Sequence, residues 1–142
     1  MRMILRRSTR PIFVVRGQIS PLNHVLLVYD GSPKGKEALF LAAYLNSRYN
    51  GKLSLLVTED NAERAEALMD AARDYLGEDY TNVILRKGNI EPAETIAKTA
   101  AEINADLILM GGYRLSPVLE VIFGSIVDNV LRRTCIPVII CQ

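Results

Sequence analysis

Short apolar runs alternate with longer stretches of helical periodicity, and this alternation constrains the fold of these 142 residues more than any other feature. The runs fall at residues 25–29, 53–57, 83–85, 107–110 and 137–141. They are almost continuously apolar, as strands covered on both faces must be. Between the first two, Ser32 offers a helix cap and Pro33 suits the first helical position, with Ala38, Leu41, Ala42 and Leu45 on one face and Gly51 as the expected stop. A second helix is expected over residues 62–76, with Ala65, Leu68, Met69 and Ala72 inward and Met69 as core filler. Pro92 opens a third, carrying Ile96, Ala97, Ala100 and Ile103, and a last helix spans residues 124–133. Helical crossovers between consecutive strands require them to run parallel with helices on both faces. The expected fold is α/β: a doubly wound parallel five-stranded sheet. In such sheets ligands bind beyond the carboxyl ends of the strands, where strand order reverses. Asp30 and Gly111 stand at such ends.

The two ends of the chain repeat one another. Residues 5–15 can be laid over residues 131–141, with Leu5-Arg6-Arg7 on Leu131-Arg132-Arg133, Ser8 on Thr134, Pro11 on Pro137, and apolar residues beyond. Each copy reads as the end of a helix followed by a strand. This predicts an extra N-terminal strand at residues 12–15 lying beside 137–141, either within one chain or exchanged between two, so that a homodimer could pair through residues 11–15 and 137–141. The expected division is a remnant of a preceding repeat at residues 1–16, a turn-rich linker at 17–23 and one domain at 24–142.

With 17 Lys plus Arg against 16 Asp plus Glu, no overall field points to nucleic acid or an anionic membrane. Arg2, Arg6, Arg7, Arg10 and Arg16 make the beginning locally basic and read as solvated charges around a helix end rather than a nucleic-acid arm. No segment approaches the ~20 apolar residues of a membrane helix, and residues 1–15 contain no signal-peptide core. A cytoplasmic location is expected. Cys135 and Cys141 fit neither a C-x-x-C redox pair nor a metal cluster and read as buried small hydrophobes. His24, the single histidine, carries no pattern that would give it a chemical role.

Two elements suggest a site. Asp30-Gly31-Ser32 sets a carboxylate and a hydroxyl beside a helix N-terminus, an arrangement that ordinary capping also produces. Met110-Gly111-Gly112 ends the fourth strand and Gly124-Ser125 begins the last helix, so backbone there could approach phosphates closely. The strand ending in Asp30-Gly31-Ser32, then Ala105-Asp106-Leu107-Ile108-Leu109-Met110-Gly111-Gly112, Phe123-Gly124-Ser125 and Arg132-Arg133-Thr134-Cys135-Ile136-Pro137-Val138-Ile139-Ile140 resemble the universal stress protein family over residues 21–142.

That resemblance implies a sheet like that of the adenine nucleotide alpha hydrolases and, in nucleotide-binding members, a G-x-x-G-x9-G-[S/T] loop under ribose and phosphates, with the first-strand Asp at the adenosine end. Asp30, Gly111, Gly124 and Ser125 match this pattern; Gly112 and Ile126 flank the glycines, and backbone at Val57 and Thr58 would recognise adenine. Arg114 replaces the middle glycine, and Val127 stands where a hydroxyl residue is often found. Arg114 admits two readings, a phosphate ligand or a plug that closes the pocket. The implied ligand is ATP or AMP, with Mg, although none is required. The leading expectation is a regulatory domain that senses adenine nucleotide through this degenerate loop. The alternatives are an interaction module of the same fold without nucleotide, and a slow ATP hydrolase or phosphotransferase in which Asp30 orients metal or water. No nucleophile–base pair, no G-x-x-x-x-G-K-[S/T] loop and no Ser-Gly-Gly-x-Asp-Ser motif is present in the sequence, so an enzyme is not expected.

Overall fold

The computed structural model describes residues 9–77, 82–86, 91–111 and 126–141, with 82–86 as backbone alone. The elements are β1 (Ile12–Val14), β2 (His24–Val28), α1 (Pro33–Tyr49), β3 (Lys52–Thr58), α2 (Ala62–Leu76), β4 (Asn82–Arg86), α3 (Pro92–Glu102), β5 (Leu107–Gly111), α4 (Ile126–Arg133) and β6 (Val138–Cys141). They form one six-stranded sheet in the order β1-β6-β5-β2-β3-β4. Strands β2 to β6 are mutually parallel, and β1 joins β6 antiparallel. From β2 the chain winds through α1 and α2 to β3 and β4, then returns through α3 to the other side of β2 and continues through α4 to β6. Strand order therefore reverses between β2 and β5.

Alternation along the strands divides the core into two layers. Leu26 and Val28 of β2 point to the side of α3 and α4, where Ile96, Ala100, Val130 and Leu131 pack. Val25, Leu27 and Tyr29 point the other way, to Ala38, Leu39 and Ala42 of α1 and Ala65 and Ala72 of α2. The apolar stripe of α1 departs from the expected one. Gly35, Ala38, Leu39, Ala42 and Asn46 are its buried positions, while Leu41 and Leu45 flank the stripe and are only partly buried. Leu68 and Met69 of α2 and Ala97 and Ile103 of α3 are likewise partial. The deepest residues follow the i, i+3, i+4, i+7 spacing of a helix seated flat on a sheet.

Local signals fix the helix ends. Ser32 Oγ accepts from Gly35 N at 2.9 Å, and Pro33 follows at the first helical position. The stop comes at Asn50 rather than Gly51, because Asn50 itself takes the left-handed conformation (φ 57°) and donates its N–H to Asn46 O. Asn61 caps α2 by accepting from Arg64 N at 3.0 Å.

The N-terminal strand forms where the repeat places it, within the same chain. Ile12 pairs with Ile140, Phe13 with Ile139 and Val14 with Val138. Ile12 and Val14 pack partly buried against the α3–α4 layer, while Phe13 remains 47% exposed. Arg16 then donates to Leu131 O near the end of α4. The following stretch is tied to Asp106, which accepts from Ser20 Oγ (2.8 Å) and from the amides of Asn23 (2.9 Å) and His24 (3.2 Å).

Of the two cysteines, Cys141 is buried, as expected, but Cys135 is exposed. The reason is position: Cys135 lies in the turn between α4 and β6, outside both layers.

Candidate functional site

The first strand of the parallel set leaves the sheet at Tyr29. Val28 pairs with Met110 on one side and Leu56 on the other, and Tyr29 N still donates to Leu56 O at 3.0 Å. Asp30, Gly111, Val57 and Thr58 thus meet at one carboxyl edge, at the reversal of strand order. Gly31 turns the chain there with φ 74°, a conformation suited to glycine, and its α-carbon faces Leu68 too closely to admit a side chain.

The Asp30 carboxylate does not simply project into solvent. Its Oδ1 accepts from Ser32 N (3.0 Å) and from Ser32 Oγ (2.6 Å), and Ser32 Oγ in turn accepts from Gly35 N. A negative charge thereby sits on the positive end of α1. Among the described residues, Asp30 Oδ2 has no hydrogen-bond partner. Behind it, Tyr29 is 3% exposed, and burial, followed by the charge of Asp30, pushes its hydroxyl pKa up.

Gly111 closes this edge from below. A β-carbon there would stand 2.8 Å from Gly35 N and from the Lys34 carbonyl carbon, so the first turn of α1 rests directly on the end of β5. The neighbouring strand ends at Cys141, paired with Gly111. Burial first, and then the charge of Glu37, push the Cys141 thiol up to about 11, with Lys34 opposing.

Val57 is fully buried, leaving only its backbone for recognition, whereas Thr58 is partly exposed at the strand end. Ile126 is 5% exposed and Val127 is buried in the core beneath α4. Gly112, Arg114, Gly124 and Ser125 lie outside the described residues. Two residues of this edge went unnoticed in the sequence, Lys34 and Gly35. The available signal was a glycine three residues after a capping serine, where a helix gains nothing from glycine.

Other features lie elsewhere. His24 is at the amino edge, with its Nε2 2.8 Å from Ser54 Oγ. A groove of about 320 Å³ lined by Phe40, Tyr44, Ser47 and Tyr75 runs between α1 and α2, without converging charged groups. Among the described residues, no three His, Cys, Asp or Glu side chains are placed to hold a metal ion, and no helix is long and apolar enough to cross a membrane.

A sequence model described as the universal stress protein family matches residues 56–142, more than half of the chain. The chain belongs to the universal stress protein family. It is 28% identical over 148 aligned positions to universal stress protein Slr1230 of Synechocystis sp. (strain ATCC 27184 / PCC 6803 / Kazusa), covering 98% of this chain and 49% of that protein. A universal stress protein from Archaeoglobus fulgidus DSM 4304 superposes with a TM-score of 0.83 at 25% identity, over 98% of this chain and 52% of the other. A universal stress protein crystallised in complex with cAMP shares the fold, with a TM-score of 0.68 at 22% identity over 84% of this chain and 97% of its own. The chain spans about half the length of the first two.

Proposed function

We propose that this universal stress protein domain takes an adenine nucleotide at the reversal between β2 and β5 and acts as a regulatory binding domain rather than an enzyme. One observation carries the reading. Asp30, Gly111 and the backbone of Val57 and Thr58 converge on that edge, and Asp30 Oδ2 has no partner among the described residues. A carboxylate already seated on the positive end of α1 suits hydrogen-bond donors, such as ribose hydroxyls or an amine, and repels phosphate. The phosphates of ATP or AMP would then fall to Gly112, Arg114, Gly124 and Ser125, with Mg accompanying them. The cAMP held by a protein of the same fold supports a nucleotide at such a sheet. No nucleophile lies beside a base among the described residues, since His24 sits at the amino edge with Ser54. Calorimetric titration of the full chain with ATP, AMP and cAMP, with and without Mg, tests the reading. Saturable binding that Asp30→Ala weakens at least tenfold is expected, whereas heats of dilution alone up to millimolar nucleotide would leave an interaction module without nucleotide.

A second reading concerns assembly. We infer that residues 1–16 are the end of a preceding copy of the same domain, joined by a linker at 17–23. The repeat lays Phe13 on Ile139, and the antiparallel register pairs Phe13 with Ile139. The same two residues are therefore equivalent by sequence and opposite by pairing, as a local two-fold axis requires. Relatives of twice the length are consistent with this. Exchange of the strand between two chains would give a homodimer through the same ladder, which sedimentation equilibrium would register as a doubling of mass.

A further inference from the structure

Gly35 is the third residue of α1, inside a regular helix, and its φ is not positive. Glycine is a poorer helix former than alanine, so backbone freedom does not account for it. Space does. A β-carbon on Gly35 would overlap Asp30 Oδ1 and stand 3.2 Å from Ser32 Oγ. One layer below, the missing β-carbon of Gly111 admits the backbone of Lys34 and Gly35. Two absent side chains thus let the end of β5, the first turn of α1 and the Asp30 carboxylate stack on one another.

We propose that Gly35 is a positioning residue of the switch-point site: its bare α-carbon allows the Asp30 carboxylate to retract onto the first turn of α1, and any side chain there drives the carboxylate out into the crevice. The inference rests on the reading that a nucleotide binds at this edge, and it names the residue that sets where Asp30 meets it. In the retracted position Oδ1 is committed to Ser32 and Oδ2 is left for the ligand. Displacement breaks both bonds to Ser32, frees the positive end of α1 and puts a negative charge where the ligand must enter.

The test uses the full chain carrying Gly35→Ala, Asp30→Ala or both. In Gly35→Ala the Ser32 amide should exchange with solvent about tenfold faster or more, having lost a charged acceptor. ATP affinity should fall by a similar factor. In the Asp30→Ala background the same Gly35→Ala change should stabilise the chain, as alanine normally does within a helix, so its effect on the urea midpoint reverses sign. The proposal is overturned if Gly35→Ala leaves Ser32 exchange and ATP affinity unchanged and stabilises both backgrounds. It is also overturned if neither alanine-35 chain folds, because Asp30 would then not be the obstacle. Should the unaltered chain bind no ATP, the nucleotide reading falls, but Ser32 exchange and the sign reversal still decide the role of Gly35.

Discussion

Replacing Gly111 with alanine measures how tightly α1 is seated on β5. Carbon contacts are comfortable from about 3.5 Å, and the new β-carbon would meet the Lys34 carbonyl carbon at 2.8 Å, so the first turn of α1 must retreat by roughly 0.7 Å. The obstacle is backbone, which cannot turn aside as a side-chain tip can. Overpacking of this kind costs about 1–3 kcal/mol. Set against it is a gain of about 0.4–1 kcal/mol from the smaller conformational freedom of alanine in the unfolded chain, since Gly111 does not need a positive φ. The strain wins, leaving a net loss of about 0.5–2.5 kcal/mol. Urea denaturation should show a lower midpoint at unchanged slope, and for a chain of this size Tm should drop by roughly 2–10 °C. A variant more stable than the unaltered chain would refute the close approach of α1 to β5.

Three further outcomes follow from separate parts of the molecule. Val14→Asp, which puts a carboxylate against the α3–α4 layer, should cost about 1–3 kcal/mol and promote self-association through β6 by weakening the β1 ladder, whereas Phe13→Asp on the exposed face should cost under about 1 kcal/mol. Equal effects in denaturation and light scattering would contradict the assigned faces of β1. Cys141 is neutral in the folded chain up to about pH 11, whereas in the unfolded chain its thiol ionises near its ordinary value of 9.0. The unfolded state therefore gains as pH rises between those values, and stability present below pH 9 should fall by about 2–3 kcal/mol relative to a Cys141→Val chain. Parallel stability curves for the two chains would show that the thiol is not buried. Cys135, being exposed, should react with a thiol reagent in the native state while Cys141 stays protected, and labelling of both at equal rates would be inconsistent with the packing of β6.

The parallel strands were legible because a strand covered on both faces must be apolar almost throughout, and residues 25–29 and 107–110 meet that condition without interruption. Ser32 and Pro33 announced the start of α1 because free amides need a cap. The extra strand was legible through Pro11 and Pro137, which brought two short apolar runs into register. The buried face of α1 was less legible: a helix with Leu39, Leu41 and Leu45 fits the sheet in more than one rotation, and contact with β2 and β5 decides for Leu39. Gly111 was readable as a special position, but its packing reason was not, since α1 approaches it from far along the sequence. Gly35 was invisible for the same reason: its constraint is an oxygen atom of Asp30, placed by a turn that sequence pattern does not specify. Asp30 itself stood out as a strand-end carboxylate, whereas its bonds to Ser32 belong to the folded turn.

The most direct measurement is a map of amide chemical shifts as ATP is titrated into the isotopically labelled full chain. Binding at the reversal of strand order predicts saturable shifts at Asp30, Thr58 and Gly111 and at Ser32 and Gly35 in the first turn of α1, while His24, Ser54 and Asp106 at the amino edge stay fixed. Shifts confined to Phe40, Tyr44 and Tyr75 in the groove between α1 and α2, or no saturable shift at all, would contradict a nucleotide site at the junction of β2 and β5.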